Sequence, residues 1–218
     1  MFKSIDFRNV HSYFPRMERQ SRIEVKEESK SALHEYATIS IAFQVHSILK
    51  VTARGNHTDE FVLTEEPLAV PYLKDYDSLS GEKPTQWEKR FDLSRWVLLG
   101  ARAHGRLIGG AAIAFSIPDQ EIFEGREDLA ILWDIRVSPE VRGQGVGAAL
   151  FGAAEAKARA RGFRALKVET QNINVGACRF YEQQGCVLRF VNRRAYAEQP
   201  HEVQLLWYKD LSNDVPYV

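Results

Sequence analysis

Between residues 129 and 162 the chain has few ways to fold. Leu129-Ala-Ile-Leu-Trp-Asp-Ile-Arg-Val137 is apolar and β-branched, the composition of a strand. Arg142-Gly143-Gln144-Gly145-Val146-Gly147 follows as a glycine-rich turn, and apolar side chains then recur with the 3.6-residue period of a helix. Val146, Leu150, Phe151 and Ala154 fall on one face of that helix, and Glu155, Lys157, Arg159 and Arg161 on the other. Gly162, placed behind Arg159 and Arg161, reads as the C-cap glycine. Glycines in a turn can be mere punctuation. A strand that enters a helix through them, however, leaves several backbone N–H groups unpaired, and the helix dipole adds partial positive charge at the same point. Such a junction favours a phosphate or pyrophosphate, so the segment predicts a phosphorylated ligand.

Two familiar phosphate motifs do not fit. A P-loop needs Lys followed by Ser or Thr after its last glycine, and here Ala148-Ala149 follow. The dinucleotide fingerprint needs G-x-G-x-x-G near the first strand, whereas Gly143, Gly145 and Gly147 are spaced by two and lie two-thirds of the way along the chain. The spacing Arg-x-x-Gly-x-Gly from Arg142 to Gly147 resembles the acetyl-CoA-binding motif of the GCN5-related N-acetyltransferase (GNAT) family. Downstream, Arg164–Thr170 reads as a strand and Asn174–Gly185 as a short helix ending at a glycine. Asn174, Ala177, Tyr181 and Gly185 are similar in order and spacing to the family's Asn-x-x-Ala-x-x-x-Tyr-x-x-x-Gly pattern. Within the family, Glu169-Thr170-Gln171, Cys178, Pro71-Tyr72, Lys74-Asp75-Tyr76, Ala195-Tyr196 and Trp207-Tyr208 resemble the streptothricin acetyltransferases, over roughly residues 43–211. The first forty or so residues match nothing of that pattern.

The resemblance implies the GNAT fold: α/β, with one mixed, mostly antiparallel sheet flanked by helices. It implies acetyl-CoA as co-substrate and a small-molecule amine as acceptor. It assigns Arg142, Gly143, Gln144, Gly145, Val146 and Gly147 to the cofactor's phosphates, the backbone N–H of Val137 to the thioester carbonyl, and Asn174 to the pantetheine arm. Asn174 is also a good helix N-cap, and both roles are compatible. Tyr181 becomes the general acid for the leaving thiolate, since a phenol of pKa about 10 can protonate a thiolate whose thiol is near 8.5. The spacing of seven puts Asn174 and Tyr181 on one helix face, although a half-buried tyrosine packing on the sheet reads the same way. Regular alternation along 129–137 would turn Leu129, Ile131, Trp133, Ile135 and Val137 to the core and Asp134 and Arg136 to the other face. Asp134 would then take the amine's proton through water or hold the substrate ammonium, with no direct pairing to Arg136 expected.

A chain of 218 residues suits one domain with an extension: residues 1–36, polar and mixed in charge, as an extension or helical arm, and 37–218 as the acetyltransferase domain. Ile39–Val51 and Phe61–Thr64 read as strands. The proline-bearing stretch 65–86 reads as loop or substrate-side structure, and Trp96–Arg102 with Leu107–Phe115 reads as a hairpin across His104-Gly105. The formal net charge is zero and no continuous basic stripe runs along the chain, which disfavours nucleic acid as a partner. Residues 59–88 hold eight Asp/Glu against two Lys, and 119–134 six Asp/Glu against one Arg, a balance suited to a cationic ligand or simply to solvated loops. No apolar run approaches the ~20 residues of a membrane span, and no apolar signal core opens the chain, so the cytoplasm is the expected location. Cys178 and Cys186 read as small buried side chains, and the six histidines show no metal-ligand spacing, so no zinc is expected. The sequence therefore points to an acetyl-CoA-dependent N-acetyltransferase acting on a cationic small-molecule amine, with streptothricin the leading candidate. The rivals are a GNAT enzyme for a polyamine, an amino acid or a protein N-terminus, and a non-catalytic acyl-CoA-binding module. A homodimer is left open.

Overall fold

The computed structural model describes residues 23–54, 57–115 and 121–212. Seven strands form one sheet: β1 (Glu24–Glu28), β4 (Trp96–Ala103), β5 (Arg106–Phe115), β6 (Leu129–Val137), β7 (Ala165–Gln171), β9 (Gln204–Asp210) and β8 (Val187–Asn192), in that spatial order. All neighbours are antiparallel except β6 and β7. The helix α2 (Val146–Ala160) makes the crossover between those two, as a parallel pair requires. A separate two-stranded ribbon is built from β2 (Phe43–Arg54) and β3 (His57–Lys74). Among the described residues no helix is long and apolar enough to cross a membrane.

Two apolar layers cover the sheet. On one face Val146, Leu150, Phe151 and Ala154 of α2 pack with Cys178 and Tyr181 of α3 (Val175–Gln183) against Ala111, Ile113, Leu132 and Val168 of the strands. On the other face α1 (Leu33–Tyr36) packs with Trp87, Leu93, Leu98 and Leu107. Tyr36 is wholly buried there, and its ring lies where a side chain on Gly110 would sit: a Cβ on Gly110 would come within 2.4 Å of it. The ribbon is stitched to the sheet by buried Asn172. Its amide donates to the Leu49 carbonyl (3.2 Å), while its side-chain oxygen accepts from the Val203 N–H (2.8 Å).

Most of the elements expected from the sequence are present, including β6 at Leu129–Val137, and three expectations need correction. The hairpin turns where expected, with His104 and Gly105 both at positive φ (51° and 80°), the pair of conformations a two-residue type I′ turn requires. First, the segment 24–36, read as part of an extension or helical arm, packs on the sheet: β1 forms its edge on β4 and Tyr36 enters the core. The boundary expected at residue 36 thus falls inside the packed structure, and residues 1–22 lie outside the described residues. Second, the stretch 65–74 continues β3 instead of forming a loop. Pro67 sits at a register break after which residues 68–71 have no partner on β2, and a two-stranded ribbon always has a free edge that tolerates a missing N–H.

Third, β6 does not alternate regularly. Ala112 pairs with Asp134 but Ile113 with Leu132, so Trp133 is an extra residue in the ladder, a β-bulge. The bulge reverses the side-chain parity. Ala130 and Leu132 before it, and Ile135 and Val137 after it, face α2, while Ile131 and Trp133 point the other way, into the aromatic group around Trp96. Trp133 and Asp134 therefore lie on the same face. Asp134 and Arg136 face away from α2 as expected, but Leu129, Ile131 and Trp133 do not share the face of Ile135 and Val137.

Candidate functional site

The bulge coincides with the end of the β6–β7 pairing. The two strands are paired only from Leu129–Ala165 to Leu132–Val168, and beyond that point they separate. The gap opens into a groove of about 2400 Å³ lined by Val137, Gly145, Asn174 and Tyr181 on one side and by Glu169 and Tyr196 on the other. The N-terminus of α2 borders the same groove. Its N-cap is Gly145, in the left-handed region (φ 85°) with no side chain to cap the helix. The N–H groups of Val146, Gly147 and Ala148 thus have no intrahelical partner, and a Cβ on Gly143 or Gly145 would meet nothing within 4 Å. By contrast, α3 is closed by its N-cap: the Asn174 side chain accepts from the Ala177 N–H at 3.1 Å. A helix end that lacks a cap, preceded by two glycines in left-handed turns, suits a pyrophosphate.

Arg142 lines the same groove. Its guanidinium donates to the carbonyls of Ser40 (2.7 Å), Ala42 (2.9 Å) and Val137 (3.0 Å). It ties the segment leading into β2 to the end of β6. Gln144 is exposed, with its side-chain amide on the Glu140 carbonyl (3.2 Å), and a Cβ on Gly147 would come to 3.4 Å from the Phe180 ring. Val137 is half-buried at the strand end, its side chain 3.8 Å from where a Cβ on Gly147 would sit.

Asp134 is the largest correction. The bulge brings it onto the face where Tyr36 and Arg136 converge, and the direct pair with Arg136 that was not expected is present. The Arg136 Nε donates to Asp134 at 3.1 Å, and its Nη2 makes a second, close contact with the other carboxylate oxygen. The Tyr36 hydroxyl donates to Asp134 at 2.9 Å. Arg136 also reaches Asp77 (2.9 Å) and the Ile39 carbonyl (3.2 Å), and lies over the Tyr36 ring at 4.9 Å. Burial pushes the Tyr36 phenol far above its ordinary range, with the Asp134 charge adding to the rise. Burial acts against the Arg136 charge, yet the Asp134 carboxylate more than offsets it and keeps the guanidinium charged. One guanidinium thus answers two carboxylates, Asp134 and Asp77.

Tyr181 is buried on α3, with the rings of Phe180 (5.3 Å) and Phe151 (6.3 Å) against it, and it reaches the groove. Burial, followed by the Asp134 charge, pushes its phenol well above the usual range, so it is protonated at any physiological pH. Cys178 and Cys186 are buried free thiols pushed up to about 12 by burial, in keeping with packing roles. The opposite wall, which sequence reasoning touched only through resemblance, carries Glu169 on β7. Its two oxygens accept from the Tyr196 hydroxyl (2.7 Å) and the Gln204 amide (2.8 Å). Tyr36 gave no signal in the sequence, because its role depends on a partner 98 residues away.

The family model described as the acetyltransferase (GNAT) family matches residues 60–186. Streptothricin acetyltransferase A of Bacillus subtilis is 36% identical over 81 residues, 36% of this chain and 47% of that protein, so the match spans about half the relative's length. The streptothricin acetyltransferase of Streptomyces lavendulae is 28% identical over 144 residues, 66% of this chain and 70% of that protein. A Bacillus anthracis protein solved in complex with acetyl coenzyme A superposes with a TM-score of 0.69 at 24% identity, covering 86% of this chain and 99% of that one. At that identity the superposition speaks for the fold.

Proposed function

The chain belongs to the GNAT acetyltransferase family, and from that premise we propose that it transfers the acetyl group of acetyl-CoA to a primary amine of a cationic small molecule, with streptothricin the leading acceptor. The observation that carries the proposal is the N-terminus of α2, left without a cap and opening on the gap between β6 and β7. The residues present fit the co-substrate: the free N–H groups of Val146, Gly147 and Ala148 would hold its pyrophosphate, and Asn174 on the adjoining helix would meet its pantetheine arm. Acetyl-CoA supplies the activated thioester. The chain supplies binding, orientation through the Val137 N–H, and a proton held at the Tyr181 hydroxyl. The two streptothricin acetyltransferases among the relatives support the choice of acceptor, and the cytoplasm is the proposed compartment.

The test is CoA release by the purified protein with acetyl-CoA and streptothricin, followed with a thiol reagent. Turnover is the expected result. Release with another amine but not with streptothricin would leave the family reaction and remove the acceptor, while release with no amine in a broad panel would favour a binding module. The cofactor turn has its own check. Gly145→Val forces a β-branched residue into the left-handed region and crowds the open helix end. It is expected to raise the acetyl-CoA KM by about 10-fold or more, the effect of a lost charge-assisted contact. A folded variant with the wild-type KM would move the pyrophosphate elsewhere.

A further inference from the structure

Several groove carboxylates already hold a cation. Asp134 and Asp77 hold Arg136, Glu124 holds Lys167, Asp128 holds Arg126, and Glu82 holds Arg90. Glu169 is held differently. Both of its oxygens are oriented by neutral donors, Tyr196 and Gln204, and no described Lys, Arg or His pairs with it. Each oxygen keeps a lone pair free, and the residue is exposed to the groove. Its place in the strand matters as much. Glu169 is the first residue of β7 beyond the last β6–β7 pair, Leu132–Val168, so it stands where the strands part. Leu166 and Val168 face the core under α2 and α3, so Lys167 and Glu169 face the other side of the sheet, away from the helix that offers the anion site.

The donor that orients Glu169 is itself fixed. Tyr196 belongs to the segment between β8 and β9, and that segment is tied to the ribbon at two points. Arg193 donates to the Val51 carbonyl (2.8 Å), and the buried Glu202 accepts from the Tyr76 hydroxyl (2.6 Å) and pairs with Lys74. Lys74 also donates to Gln199 (3.2 Å). Lys74 and Glu202 neutralise one another, and Glu169 stands beside them as a carboxylate for which the described residues provide no paired cation.

We infer that Glu169 is the specificity-determining carboxylate that receives the acceptor's ammonium group, a role that rests on the amine acetylation proposed above and replaces the one expected of Asp134. The experiment is calorimetric titration of streptothricin into the CoA-loaded wild type, Glu169→Gln and Tyr196→Phe, with acetyl-CoA affinity measured in parallel. Glu169→Gln keeps the shape and removes the charge. It is expected to weaken the amine by roughly 10- to 100-fold, the range of a lost charge-assisted hydrogen bond, with acetyl-CoA affinity unchanged. Tyr196→Phe keeps the charge and should weaken the amine less, and added salt should weaken amine binding in the wild type but not in Glu169→Gln. Glu169→Gln matching the wild type, or Tyr196→Phe proving as damaging as Glu169→Gln, would overturn the inference. Should the wild type acetylate a different cationic amine instead of streptothricin, the acceptor proposed above falls, and the same ratios measured with that amine decide the role of Glu169.

Discussion

Tyr181→Phe is expected to lower kcat by about 100-fold, within the range of a general acid's contribution, with acetyl-CoA affinity unchanged. The ring is packed between Phe151 and Phe180, so removing the hydroxyl leaves no cavity and no new contact. What is removed is a proton that burial and the nearby Asp134 charge keep on the phenol. The same environment makes a bare phenolate costly, so donation to the departing thiolate must be matched by a proton arriving from the acceptor's ammonium. Steady-state kinetics with separate KM values for the two substrates provides the check. A kcat loss accompanied by an equal loss of acetyl-CoA affinity would mean that Tyr181 positions the co-substrate instead of protonating its sulfur.

Arg136→Leu should reduce stability by about 3–5 kcal/mol, the cost of breaking a buried ion pair from one side. The Arg136 side chain is 1% exposed and answers two carboxylates, Asp134 and Asp77, together with the Ile39 carbonyl. Its loss leaves two acids without a cation beside the buried Tyr36. For a chain of this size the change corresponds to a fall in Tm of roughly 6–20 °C, which thermal unfolding would resolve. Arg136→Lys keeps the charge but loses the forked geometry and should fall between the two. A Leu variant as stable as the wild type would show that this network contributes nothing net to folding, and would reopen Asp134 as a group free to meet substrate.

The geometry of the proposed cofactor turn was legible because it is local. A strand, three glycines and an amphipathic helix are contiguous in sequence, and their consequence, a helix end without a cap, follows from backbone hydrogen bonding alone. Asn174 and Tyr181 were legible for the same reason, since spacing within one helix fixes their common face. The N-terminal segment was misassigned because its polar composition hides the one ring, Tyr36, that packs onto Gly110. The 65–74 stretch was misread because its prolines signal loop unless the strand has a free edge to carry them.

The sequence by itself determined the sheet-and-helix class, the glycine turn into α2 and the family, since each rests on contiguous residues whose backbone preferences agree. Tertiary structure alone decided what each carboxylate does. One extra residue in β6, visible only in its pairing with β5, puts Trp133 and Asp134 on one face, where Arg136 pairs with the acid that looked best placed for substrate and the Tyr36 hydroxyl donates to it. Glu169, which the sequence marked only as part of a resemblance, has no paired cation among the described residues, because Tyr196 and Gln204 reach it from 27 and 35 residues away with neutral donors. The charge of a side chain is written in the sequence, but whether a cation already neutralises it depends on contacts between distant segments, and only the fold supplies those.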